Sequence, residues 1–135
     1  MEDTVLQTNS SLHNPDRLLD GPLLIFDLPY LMEKIVTEDS WQKNKRNAIT
    51  LLKNENMRLV LIDLSSGEEI NFRQSDNLIS LQLMKGEVEF NTENKIAMLK
   101  QGQLLTHHEN MQHSLVAIGE TIFLLTVGNS IPIEV

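Results

Sequence analysis

The chain has 135 residues, no cysteine and a formal net charge of −8. This length is enough to bury a hydrophobic core and favours a single domain. The missing cysteines exclude disulfides, thiolate zinc sites and a cysteine nucleophile. The acidic balance argues against nucleic acid as a partner, because phosphate backbones are bound by clustered Lys and Arg side chains.

The apolar runs are too short for a membrane protein. The longest, such as Leu23–Phe26 and Ile122–Leu125, fall far short of the roughly 20 residues that span a bilayer. The first residues, Met1 to Thr4, are acidic and lack the basic-then-apolar order of a secretory signal. We therefore expect a cytoplasmic protein that binds neither membranes nor nucleic acid.

The first third of the chain divides into two parts. Residues 1–16 are polar and without hydrophobic period, which predicts a mobile N-terminal arm. In residues 17–45, Leu23–Phe26 is predicted to add a strand to a sheet edge, in its own barrel or in a neighbouring copy. Asp27 then occupies the N-cap position of a helix with Pro29 in its first turn, and apolar residues at helical spacing follow to about Glu38. We expect this strand and helix to pack on a barrel.

From residue 46 to residue 135, apolar runs of strand length alternate with polar turns. Turns at intervals of roughly eight to twelve residues are typical of antiparallel barrels and sandwiches. The predicted strands are 48–52, 57–64, 69–75, 78–84, 87–91, 95–99, 103–107, 112–118 and 121–127. The sequence therefore predicts an all-β domain.

The order of several short motifs carries a family resemblance. These motifs are Gly67, the run Ile79–Gly86, Lys100–Gly102, His113–Ser114 and Phe123–Thr126. Together they resemble the small single-domain cupins, a family of double-stranded β-helix (jelly-roll) barrels, over about residues 46–128. The resemblance implies such a barrel with a short N-terminal helix in front of it. Independently of the family, the glycines fall at strand junctions, where a positive φ is cheap only for glycine.

The resemblance also implies where metal ligands would lie. The first cupin metal motif places its two histidine positions on Arg73 and Ser75 and its glutamate position on Ile79. The second motif keeps its histidine as His113. A single imidazole cannot hold zinc, iron or manganese, which need about three protein ligands even in open catalytic sites. We therefore expect no metal cofactor.

The same family geometry would point these side chains into the barrel mouth. An inward arginine needs compensation, since an unpaired buried charge costs several kcal/mol. Either a carboxylate such as Glu69 or Glu87, or water, compensates Arg73, or Arg73 and His113 form a fork for an anion such as a carboxylate. The predicted ligand-binding residues are Arg73, Ser75, Ile79 and His113.

A second set of histidines offers the other route to a metal. His107, His108 and His113 can be imagined to converge as three imidazoles. Adjacent residues on a strand point to opposite faces, so His107 or His108 would then have to lie in a loop. The other interpretation is that these histidines are solvent-exposed turn residues.

Two classes of function remain open at this point. The first is a metal-free cupin-fold protein that binds a small molecule, an anion among the candidates, or serves as a structural or regulatory module. The alternative is an enzyme: a metal-dependent oxygenase or isomerase using His107, His108 and His113, or an acid–base catalyst using His113. The sequence favours the first class and assigns no catalytic residue. A homodimer is also expected, because Leu23–Phe26 and the helix offer apolar surface that one small barrel does not cover.

Overall fold

The computed structural model describes residues 6–7, 19–37, 46–72, 78–108 and 112–128. Within these ranges it contains one helix and eleven strands. The helix is α1 (Leu28–Thr37), and the strands are β1 (Leu6–Gln7), β2 (Leu24–Ile25), β3 (Arg46–Lys53), β4 (Met57–Leu64), β5 (Glu69–Phe72), β6 (Leu78–Lys85), β7 (Glu87–Thr92), β8 (Ile96–Lys100), β9 (Leu104–His108), β10 (His113–Ala117) and β11 (Thr121–Gly128).

Nine of the strands form two antiparallel sheets. The five-stranded sheet has the order β3-β4-β11-β6-β9, and the four-stranded sheet has the order β5-β10-β7-β8. The late strands β11 and β10 each pair with an earlier strand on both sides, so the chain returns to complete both sheets. This arrangement confirms the predicted all-β domain. Eight of the nine strands run close to their predicted bounds, whereas β5 ends at Phe72 and residues 73–77 lie outside the described ranges.

The main core lies between the two sheets. Side chains of both sheets alternate between this core and the outside, as the burial pattern of β6 shows most clearly. Each fully buried aliphatic or phenyl side chain contributes roughly 1.5–3 kcal/mol to the free energy of folding. The core consists of Ile62, Leu64, Ile79, Leu81, Leu83, Val88, Phe90, Leu99, Leu115, Ala117, Phe123 and Leu125.

The helix covers the outer face of the five-stranded sheet. Asp27 caps it as predicted, since its Oδ1 accepts a hydrogen bond from the Tyr30 amide at 3.1 Å. Leu31 and Ile35 are fully buried, and Asn47 Nδ2 donates to the Ile35 carbonyl oxygen at 3.3 Å. Their partners on the sheet are Ile49, Leu51, Leu61 and Ile122. Among the described helical residues, no stretch has the length and hydrophobicity needed to cross a bilayer.

The segment in front of the helix was predicted to pair with a sheet edge of its own barrel or of a neighbouring copy. The first of these pairings is not found among the described residues. Leu24–Ile25 forms a short parallel bridge with Leu6–Gln7, and within the described residues it pairs with neither sheet of its own barrel. Leu6 and Gln7 belong to the predicted arm, the rest of which lies outside the described ranges. The segment still reaches the barrel, because the Lys53 amide donates to the Leu19 carbonyl oxygen at 2.9 Å.

The turn between β6 and β7 provides a test of this packing. Gly86 has φ +90°, and a Cβ there would collide with the Glu120 carbonyl oxygen and lie 2.9 Å from Thr121 Cα. Gly67 has a similar φ of +86°, but its surroundings are open. Strain of about 1–2 kcal/mol applies to both glycines, and overpacking of about 1–3 kcal/mol is added only at Gly86.

We therefore expect Gly86→Ala to lower the free energy of unfolding by roughly 2–5 kcal/mol and Gly67→Ala by only about 1–2 kcal/mol. Urea unfolding followed by circular dichroism measures both. Equal losses in the two variants would contradict the close approach of this turn to β11.

Candidate functional site

His113 lies inside the barrel between two phenyl rings. It is only 2% exposed and is the first residue of β10, which runs between β5 and β7. The Phe72 ring of β5 stacks on the imidazole, with ring centroids 4.7 Å apart and an interplanar angle of 14°. The Phe90 ring of β7 lies 5.2 Å away on the other side. The predicted inward orientation of His113 therefore agrees with the structure.

His107 reaches the same place from the other sheet. It faces inward on β9 and is half-buried, whereas its neighbour His108 is exposed. The His107 ring centroid is 4.7 Å from that of His113 and 5.5 Å from that of Phe90, in both cases at 71°. Such edge-to-face geometry is favoured between aromatic rings. Phe72, Phe90, His107 and His113 are called the ring cluster below.

The interpretation of His107 as a solvent-exposed turn residue is wrong. His107 lies within β9, and the alternation that half-buries Leu105 also turns His107 inward. The Nε2 atoms of His107 and His113 are both buried. Two nitrogen-bearing rings thus lie in an otherwise apolar wall.

The structure does not bring the three histidines together. His108 projects from the opposite face of β9, so it cannot join His107 and His113. Within the described residues, no group of three His, Asp or Glu side chains is close enough to hold a metal ion. Zinc, iron and manganese sites need about three such ligands. The residues that the structure describes therefore do not fit the metal of the cupin family.

The predicted ligand-binding residues have different outcomes. Ile79 is buried, faces inward and pairs directly with His107. Arg73 and Ser75 lie outside the described residues, so their part in the site stays a prediction. The inward face of β5 carries Phe72 and Ile70, whereas Glu69 is exposed. The idea that Glu69 compensates an inward arginine is therefore wrong.

A cavity of about 310 Å³ adjoins the ring cluster. It lies between β8 and β9, the edge strands of the two sheets, which do not pair with each other among the described residues. This volume holds about ten water molecules at roughly 30 Å³ per molecule. It is at the lower end of the range of volumes found for ligand pockets. Its lining consists of Phe90, Thr92, Asn94, Lys95, Ala97, Leu105, Thr106 and His107.

A tight turn fixes the cationic side of this cavity. The Thr92 amide donates to the Lys95 carbonyl oxygen at 2.8 Å, and the Lys95 amide donates to Thr92 Oγ1 at 3.1 Å. The turn therefore holds the Lys95 backbone beside the cavity. Among the described lining residues, Lys95 alone carries a full positive charge. No sequence signal pointed to Lys95, because one lysine in a polar turn resembles any solvated turn residue.

A second buried polar group lies away from the cavity. Asp63 is 1% exposed on the outer face of β4, between Asn47 of β3 and Ile122 of β11. Neither of its carboxyl oxygens has a hydrogen-bond partner among the described residues. Burial first, and then the negative charge of Glu120, raises the pKa of Asp63 from 3.8 to about 6, although Lys85 acts in the opposite direction. Folding therefore favours the protonated carboxyl.

The pH dependence of stability tests this account of Asp63. Below pH 3.8 the carboxyl is protonated in both the folded and the unfolded chain. Between pH 3.8 and about 6 the unfolded chain ionises while the folded chain stays protonated, so the folded state loses about 3 kcal/mol across this window, at about 1.4 kcal/mol per pH unit. In Asp63→Asn, the stability difference between pH 4 and pH 8 should change by about this amount, in favour of the folded state at pH 8.

Urea unfolding at several pH values measures this effect. Glu93→Gln, at an exposed turn carboxylate, is the matched control and should keep the pH dependence of the original chain. An unchanged pH profile in Asp63→Asn would refute the raised pKa.

Several solved structures share this architecture at low sequence identity. A conserved protein of unknown function from Streptococcus pyogenes aligns with a TM-score of 0.65 and 17% identity, over 90% of this chain and 95% of that chain. A cupin superfamily protein from Desulfitobacterium hafniense aligns with a TM-score of 0.60 and 14% identity, over 64% of this chain and 80% of that chain. The cupin_2 domain of an XRE family transcriptional regulator from Enterobacter cloacae aligns with a TM-score of 0.60 and 13% identity, over 65% of this chain and 100% of that chain.

Sequence comparison adds nothing further: no family model matches the chain, and no curated protein matches it significantly. Structural similarity at such low identity is informative about the fold alone. The comparisons confirm the predicted double-stranded β-helix.

Proposed function

We propose that this small cupin-like domain binds a small organic anion, without a metal ion, in the cavity beside the ring cluster. The observation that carries the proposal is the composition of the cavity walls. Phe90, Ala97 and Leu105 supply apolar surface, His107 supplies an imidazole, and Lys95 supplies a positive charge. Ligand pockets generally combine mostly apolar walls with a few polar groups that orient the ligand.

The proposed site extends to the residues predicted from the sequence. Ile79 pairs with His107 in the ladder, and the His113 ring contacts the His107 ring, so both residues adjoin a side chain that lines the cavity. Arg73 directly follows Phe72, whose ring stacks on His113, and Ser75 comes two residues later. We propose that Arg73 adds a second cation to the carboxylate site and that Ser75 adds a hydroxyl. Hydrogen bonds between charged groups contribute roughly 1.5–3 kcal/mol each.

A regulatory role is compatible with such binding. One structurally similar domain is described as part of a transcriptional regulator. By analogy, we propose that ligand binding here serves sensing rather than turnover. A metal-dependent oxygenase or isomerase is the less favoured alternative, because His108 faces away from His107 and His113. A cytoplasmic location remains a prediction.

Carboxylate binding tests the proposed site. Butyrate and similar small carboxylates should raise the melting temperature of the protein, while the neutral butyramide should not. Lys95→Gln should weaken carboxylate binding about tenfold, the equivalent of about 1.4 kcal/mol. Lys100→Gln is the matched control, since Lys100 is an exposed lysine that does not line the cavity, and it should bind as the original chain does.

Two further variants locate the binding. Ala97→Phe should fill the cavity and abolish the thermal stabilisation. Persistent stabilisation in this variant would refute the proposed site. If Arg73→Ala leaves the stabilisation unchanged, Arg73 has no part in it.

We also propose that the protein is a homodimer. Leu23 and Ile25 are 46% and 44% exposed beside the helix, and apolar side chains exposed together mark interfaces. Size-exclusion chromatography with light scattering should give twice the chain mass of 15.4 kDa. Ile25→Glu should produce monomers, and Ile96→Glu, at a 71% exposed isoleucine on β8, should not. A particle of 15.4 kDa for the unchanged chain would rule out the dimer.

A further inference from the structure

We infer that the anion is aromatic: a small, planar arene carboxylate whose ring lies against Phe90 and His107. This inference rests on the proposed function and narrows it to one class of ligand. It is carried by the angle between two rings that line the cavity.

Phe90 and His107 form a corner in the cavity wall. Both line the cavity, and their ring planes meet at 71° with centroids 5.5 Å apart. A flat ring that stacks on one wall of such a corner meets the other wall edge-on. Offset-stacked and edge-to-face contacts are the two geometries that aromatic pairs prefer. A planar ring therefore satisfies both walls at once, whereas a puckered aliphatic ring of similar size satisfies neither.

The ring cluster makes this corner rigid. Behind it, His113 contacts both His107 and Phe90, and the Phe72 ring supports His113 by stacking at 4.7 Å. The four rings come from β5, β7, β9 and β10, so both sheets hold them. A wall that is already ordered loses little side-chain entropy when a ligand binds.

The other walls set the shape and the charge of the ligand. Ala97 and Leu105 add small and branched apolar surfaces from the two edge strands. Lys95 also lines the cavity and supplies one positive charge, which matches one carboxylate. The chain as a whole carries a net charge of −8, which repels ligands with several negative charges at low ionic strength. A planar, apolar molecule with one negative charge is therefore the ligand that fits this cavity.

The three alanines of the chain provide a direct readout. Ala97 lines the cavity, Ala48 is exposed on β3, and Ala117 is buried on β10 outside the cavity. With ¹³C-methyl alanine labelling, the spectrum contains one cavity probe and two internal controls. Benzoate should shift the Ala97 methyl signal strongly through its ring current and leave the other two in place.

Cyclohexanecarboxylate is the matched ligand, with the same charge and a similar size but no aromatic ring. It should bind roughly fivefold more weakly than benzoate, the range expected for ring stacking beyond burial. Phe90→Leu should abolish this preference while carboxylate binding persists. Neutral benzamide should bind weakly to the original chain, and Lys95→Gln should weaken benzoate, whereas Lys100→Gln should not.

The outcomes separate the two claims. If the two carboxylates bind equally and both move the Ala97 signal, the aromatic inference is refuted and the proposed function stands. If neither ligand moves the Ala97 signal at concentrations up to the millimolar range, the proposed function is refuted and the inference with it. A shift confined to Ala48 or Ala117 would also overturn both, because it would place the ligand elsewhere.

Discussion

The edge-to-face contact between His107 and His113 is the feature on which the site depends. The two residues come from different sheets, and their ring centroids are 4.7 Å apart. Between β8 and β9 no backbone ladder closes the barrel among the described residues, so side chains must join the sheets there. The two imidazoles join the sheets at this point. The interior there stays largely apolar, because Phe72 and Phe90 surround His113. The gap that remains beside them is the cavity.

This arrangement changes the chemistry of a cupin-like mouth. The position that the resemblance to cupins would assign to a glutamate ligand is Ile79, which is buried and lies opposite His107 in the ladder. A carboxylate at that position would need a cation or hydrogen bonds to compensate its burial. An isoleucine needs neither and extends the apolar wall. The proposed function therefore relies on recognition by the shape of the cavity and by the positive charge of Lys95.

Local signals in the sequence were sufficient for much of the fold. The N-cap at Asp27 and the apolar stripe behind it predicted the helix, and alternation with turns predicted the barrel strands. The site depended on longer-range information. His107 was misjudged although the predicted strand 103–107 contained it, because which face of a strand turns inward depends on its pairing partner, here β6. Phe72 and Phe90 gave no signal, since their ring contacts join residues distant in sequence. Glu69 was placed inward because the faces of β5 were assigned from the family motif.

The most direct test of this account is a crystal structure of the protein as purified, with anomalous diffraction data. We expect a planar organic molecule or water in the cavity beside Phe90 and His107, and no anomalous peak near the imidazoles. A transition-metal peak about 2.0–2.1 Å from Nε2 of both His107 and His113 would contradict it.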